Sequence, residues 1–324
     1  MDHADEGDDD IFVYTGGQVP EHLKLLITHA RIDESVDAVD DFAFNNCHRL
    51  LSVEFHVGIE RVGVRSFAFC VSLRRMRFPG VQRIACQAFT SCRGMTDVEF
   101  GAYLERIEAG AFHNCTSLRS IFIPSIQIID RGAFIICEQL TEAVFGEELR
   151  EIHSLAFFSC LSLRRIAIPL KNGMLNDQSE RGHEYRAFKD CVNLTTVDLV
   201  GGVHKTISSL HMQSWRNEMK HLIGLINHVL PRTVALNKTD AIEEWIGIVL
   251  RRINFYKAEH HTLLREAMSL LELAVWKAKL GEVDEVGRAK GADTDISNAR
   301  RKESRVKSGA SVVVKNVFSF LVLA

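Results

Sequence analysis

No stretch of this 324-residue chain reaches the roughly 18 consecutive apolar residues that a membrane span needs. Nor is there an excess of one charge. The 39 Lys and Arg stand against 42 Asp and Glu, so nothing pulls the chain as a whole toward nucleic acid or acidic lipid. The first ten residues hold six acids and one long apolar residue, Met1, the reverse of a signal peptide's basic start and apolar stretch. Cytoplasm or nucleus is the expected location. The eight cysteines include no C-x-x-C pair, which removes the usual zinc and dithiol spacings. H-E-x-x-H, Walker A, G-x-G-x-x-G and G-x-S-x-G are all missing. No enzyme activity, cofactor or metal is expected.

What the chain does have is a period. Phe44, Phe67, Phe89, Phe112, Phe134, Phe157 and Phe188 each follow a small residue and precede a cysteine by three. The cysteines are Cys47, Cys70, Cys92, Cys115, Cys137, Cys160 and Cys191, and the Phe spacings are 23, 22, 23, 22, 23 and 31. A repeat in the twenties marks a solenoid, in which each unit buries its apolar face only against its neighbours. Three residues after each Cys comes Leu or Met, then two alternating apolar positions, as at Leu118, Ile121 and Ile123. That alternation suits a short strand with one buried face. One equivalent cysteine per repeat predicts a ladder of small buried thiols in a reducing compartment.

The pattern Φ-x-x-I-x-x-x-A-F-x-x-C-x-x-L-x-x-I-x-Φ-P resembles the BspA-like class of leucine-rich repeats, over about residues 11–204. The resemblance implies a curved solenoid with a parallel sheet on one side and turns or short extended segments on the other. The stretches SSLHMQSWRNEMK, KAEHHTLLREAMSLLELAVWKAKL and KNVFSFL resemble those of repeat proteins abundant in diatoms. Pro79, Pro124 and Pro169 lie 45 residues apart, so the unit is a pair of repeats.

The expected fold class is α+β: the solenoid with its parallel sheet, then a C-terminal helical hairpin. Residues 1–10 form an acidic tail, 11–204 the solenoid with its N-terminal cap, and 205–281 the hairpin. A charged linker, 282–308, and an apolar segment, 309–324, follow. The first helix is expected over about Ser208–Leu230, with a seam of Trp215, Met219, Leu222, Ile226 and Val229. The second is expected over about Ala241–Leu280, opened by Asp240 and Glu243 as a capping box and closed at Gly281. It outruns the first beyond about His261. Its overhang is expected to cap the last repeat near Leu194–Leu199, with self-association through this long helix as the second reading.

The expected function is a protein-interaction scaffold with an unidentified protein partner. The outward strand positions largely alternate in charge, and among them Arg75, Arg77, Glu99, Phe122, Val144 and Arg165 are the candidate partner-binding residues. Phe122 and Val144 form an apolar centre rimmed by charge. A nucleic-acid binder ranks lower, because this face has no basic stripe. An enzyme built on the insertion at 170–186, with His183 and Glu184, ranks lower for want of a catalytic partner.

Overall fold

The computed structural model describes residues 11–175, 186–210 and 212–288. It opens with β1 (Ile11–Tyr14), a single turn α1 (Glu21–Lys24) and β2 (His29–Ile32). Two-residue strands then alternate with longer ones: β3 (Ala38–Val39), β4 (Ser52–Glu54), β5 (Arg61–Val62), β6 (Arg75–Phe78), β7 (Arg83–Ile84), β8 (Asp97–Phe100), β9 (Arg106–Ile107) and β10 (Ser120–Ile123). The alternation continues through β11 (Ile128–Ile129), β12 (Glu142–Phe145), β13 (Glu151–Ile152) and β14 (Arg165–Ile168), and β15 (Thr196–Leu199) closes it. Helices α2 (Gly202–Thr206), α3 (Gln213–Val229) and α4 (Lys238–Arg288) follow. The described residues fall into two compact units, residues 11–175 and 186–203 with 222–250, and residues 204–210 and 212–221 with 251–288.

Each repeat crosses the solenoid twice. The longer strands pair in parallel as β1-β2-β4, β6-β8 and β10-β12-β14-β15, with β4 beside β6 and β8 beside β10. The short strands form a second parallel sheet, β3-β5-β7-β9-β11-β13. Val39, Val62, Ile84, Ile107, Ile129 and Ile152, each five residues ahead of a Phe from Phe44 to Phe157, lie in these short strands, where the family resemblance implied turns or short extended segments.

Between the sheets the seven phenylalanines stack as one column. Successive ring centroids lie 5.0–5.4 Å apart with interplanar angles of 1–13°. Tyr14 extends the column past Phe44, at 5.0 Å. Each of these rings is fully buried. The residue before each ladder cysteine has positive φ, for example Asn46 at 65° and Asn114 at 61°. At the corner itself Asn114 N–H donates to the Ile135 carbonyl of the next repeat at 2.7 Å, and Phe112 N–H donates to the Ala133 carbonyl at 2.7 Å.

The cysteines do more than fill space. Cys70, Cys92, Cys115, Cys137, Cys160 and Cys191 each donate the thiol to the Phe carbonyl one repeat back, at 3.0–3.3 Å. Alanine would fit the volume but leave that carbonyl one partner short. All eight cysteines are free thiols, and only Cys86 lies outside the buried ladder.

The strand-end turns pack backbone against backbone, with or without a proline: a Cβ on Gly80 would lie 1.8 Å from the Val57 carbonyl oxygen. A Cβ on Gly146 would lie 1.7 Å from the Pro124 carbonyl oxygen, and one on Gly101 would lie 2.4 Å from that of Pro79. Each of these turns needs glycine for the close approach.

The last repeat has no successor, and helix residues supply the missing partners. Phe188 N–H donates to Thr239 Oγ1 at 3.0 Å, and Val197 N–H to Asn227 Oδ1 at 2.8 Å. Lys238, almost fully buried, donates to the carbonyls of Val192 and Leu194 at 2.9 and 2.6 Å. Burial lowers its pKa, and the nearby Cys191 opposes that shift. The cap therefore comes from the start of α4 and from α3, and the expectation that the overhang supplies it is corrected. The physical reason is polar: the open end presents backbone donors and acceptors, which Thr, Asn and Lys can satisfy and a leucine stripe cannot.

Two further expectations change. Helix α4 begins at Lys238, so Asp240 lies inside its first turn rather than at the cap, and Asp240 and Glu243 face Arg186, with Arg186 Nε 2.8 Å from Asp240. Helix α4 also continues through Gly281 to Arg288. A lone glycine costs a helix about 1 kcal/mol relative to alanine and does not stop it. Helices α3 and α4 run antiparallel: Glu218 meets Arg252 and Tyr256, and Trp215 stacks on Tyr256 at 4.8 Å. The apolar segment 309–324 and the pair His183–Glu184 lie outside the described residues.

Candidate protein-binding face

The longer strands place their outward residues in two rows. One row runs His29, Ser52, Arg75, Asp97, Ser120, Glu142, Arg165 and Thr196 along β2 to β15. The other runs Arg31, Glu54, Arg77, Glu99, Phe122, Val144, Ala167 and Asp198.

Most of the charge on these rows is answered within the face. Arg31 pairs with Glu54 at 2.6 Å, Arg75 with Asp97 at 3.5 Å and Arg77 with Glu99 at 2.8 Å. Arg165 joins Glu142 to Asp198, 2.6 Å from the latter. Exposed pairs of this kind contribute about 0–1 kcal/mol each, so they set the local charge balance more than the stability.

The centre is different. Phe122 is 62% exposed although its neighbours Ile121 and Ile123 are fully buried. Val144 sits directly beside it on β12, and Ala167 beside that on β14. Side-chain size falls from Phe to Val to Ala across three adjacent strands. Ala167 is buried, so the accessible apolar surface is a step from the exposed Phe122 down to the half-buried Val144. Glu142 and Arg165 border the step along the other row. Of the six candidate residues, Phe122 and Val144 are therefore neighbours, Arg165 borders them, and Glu99 on the adjacent β8 is paired with Arg77 on β6. Arg75, also on β6, is already paired with Asp97.

One feature escapes the strand-face reading. The second sheet carries Arg61, Arg83 and Arg106 in register on β5, β7 and β9. Each has an acid: Asp41 at 3.4 Å, Glu108 at 3.6 Å and Asp130 at 2.8 Å. Hydrogen bonding to Asp130 raises the Arg106 pKa. The recurring R-V/R-I step in the short strands is the signal that could have found this row.

Among the described residues no His, Cys, Asp and Glu cluster could hold a metal, and no helix is long and apolar enough to cross a membrane.

Comparison with protein-family models matches the BspA type leucine rich repeat region, in six copies over residues 23–125 and 70–179. Among solved structures, a leucine rich repeat protein of T. pallidum (TpLRR) is 30% identical. The match covers 50% of this chain and 68% of that one, with a TM-score of 0.39. A leucine-rich repeat protein from Bacteroides ovatus is 21% identical over 54% of this chain and 55% of its own, with a TM-score of 0.33. The pneumococcal vaccine antigen PcpA is 14% identical over 58% and 66%, also with a TM-score of 0.33. Comparison with curated proteins gives no match.

Proposed function

Since the chain belongs to the BspA type leucine-rich repeat family, we propose that it is a non-catalytic scaffold that binds another protein through the outward face of its longer strands. One observation carries the reading. Phe122 stands exposed at the centre of a face whose charges are largely paired with each other. An aromatic anchor beside a small apolar floor, ringed by polar groups, is the usual anatomy of an interface centre. The solenoid spaces its strands rigidly, so a partner meets a preformed surface and little ordering cost arises on the scaffold side.

The buried thiols suit a reducing compartment, and the proposed place of action is cytoplasm or nucleus. Kinship of the C-terminal helices with repeat proteins abundant in diatoms stays part of this proposal, because the family match covers the repeat region alone.

The test is Phe122→Glu combined with Val144→Glu. Both positions face outward, so the fold should persist, with a stability change within about 0.5 kcal/mol. Affinity capture from native extract should lose the partner that the parent chain retains. Undiminished capture would move binding to the second sheet or the helices.

A further inference from the structure

The distal part of α4 presents apolar surface that nothing in the proposed function uses. Met268, Leu270, Leu273, Val275 and Trp276 are all exposed, with Leu270 at 66% and Trp276 at 62%. By contrast the seam of the same helix from Ile242 to Tyr256 is buried. At about 100° per residue these five spread around the helix; Leu270 alone of them belongs to a continuous stripe, whose other members are the half-buried Leu263 and Ala267 and the exposed Ala274.

The stripe has an internal order. At about 100° per residue, Leu263, Ala267, Leu270 and Ala274 fall within roughly 60° of arc. Leu264 and Leu271 lie along one edge of that arc. Glu259, Glu266, Leu273 and Lys277 lie along the other, which is therefore charged with one apolar member.

We propose that this stripe pairs antiparallel with the same stripe of a second copy of this chain. Large and small residues alternate along the seam, so it is complementary to its own reverse. With the twofold axis level with Met268 and Ser269, Leu263 faces Ala274 of the second copy, and Ala267 faces Leu270. Alternating sizes across a seam let the helices interdigitate. The edges settle the direction. An antiparallel twofold brings like edge to like edge, so Leu264 meets Leu271 and Glu259 meets Lys277. A parallel pair would instead set the charged edge of one copy against the leucine edge of the other, which strands charges at an apolar contact.

Light scattering on the full chain tests this. The mass should rise with concentration from 36.5 kDa toward twice that value. Leu263→Glu with Leu270→Glu should hold it at one chain, while the solenoid's unfolding midpoint stays unchanged. Mixed oxidation of a Leu263→Cys chain with an Ala274→Cys chain should give the heterodimeric cross-link, and neither chain alone should cross-link through the new thiol. Like-with-like cross-links would overturn the antiparallel register. A single-chain mass at every concentration would overturn the pairing. If the chain shortened to end at Ser308 then dimerised, the occupant of the stripe would be the chain's own segment 309–324.

Discussion

Above about pH 9 the repeat array should lose stability steeply. The cause is the thiol ladder. Burial raises the pKa of every ladder cysteine, to about 11 for Cys47 and about 12 for Cys115. It does the same for Cys70, Cys92, Cys137, Cys160 and Cys191. In the unfolded chain a cysteine ionises near about 8.5. Below that pH both states hold the proton and the thiols contribute no slope. Above it the unfolded chain releases protons that the native stack retains, so the equilibrium shifts toward unfolding. Each thiol contributes up to about −1.4 kcal/mol per pH unit until its own folded pKa is reached. Seven together approach about −10 kcal/mol per unit, enough to overcome the 5–15 kcal/mol of an ordinary domain within one or two units. Tyr14, raised to about 12 mainly by burial, adds in the same direction at higher pH. Lys238, with its lowered pKa, acts in the opposite direction but is a single group. Urea unfolding under reducing conditions, repeated at intervals from pH 7 to 10.5, measures the slope. A flat profile across that range would show that the thiols are not shielded as the structure has them.

Replacing Phe112 by Ala should destabilise the array by about 3–5 kcal/mol. The ring is sandwiched between Phe89 and Phe134 at 5.2 Å on either side, with Phe100 edge-on at 5.9 Å. The change removes one element of a continuous column, and a solenoid transmits the loss to both neighbouring repeats. Phe122→Ala is the internal control. It deletes the same side chain from an exposed position and should stay within about 0.5 kcal/mol. Equal shifts in the two urea midpoints would contradict the column.

The column and the longer strands were legible because they recur. Phe, Cys and Leu return at fixed offsets, and a period repeated seven times overrides the ambiguity of any one short apolar run. The outward positions followed from period-2 alternation, so Phe122 and Val144 could be placed on adjacent strands before any geometry. The charge pairing was half legible: alternating signs pointed to Arg77 with Glu99, but not to Arg165 holding two acids at once. The second sheet's arginine row was passed over because its strands are two residues long and show no alternation. The cap of the last repeat was illegible for a different reason. Lys238 and Thr239 resemble any polar pair at a helix start, and only the fold brings them to the unpaired backbone groups of Phe188, Val192 and Leu194. Gly281 misled because a single glycine is a weak stop without a following proline or turn.

The central claim is that protein binding runs through the apolar step at Phe122. A photo-crosslinking side chain placed at position 122, with a parallel chain carrying it at Arg83 on the second sheet, tests that claim most directly in native extract. The account predicts a discrete cross-linked partner from position 122 and none from position 83. Cross-linking from position 83 with none from 122 would contradict it.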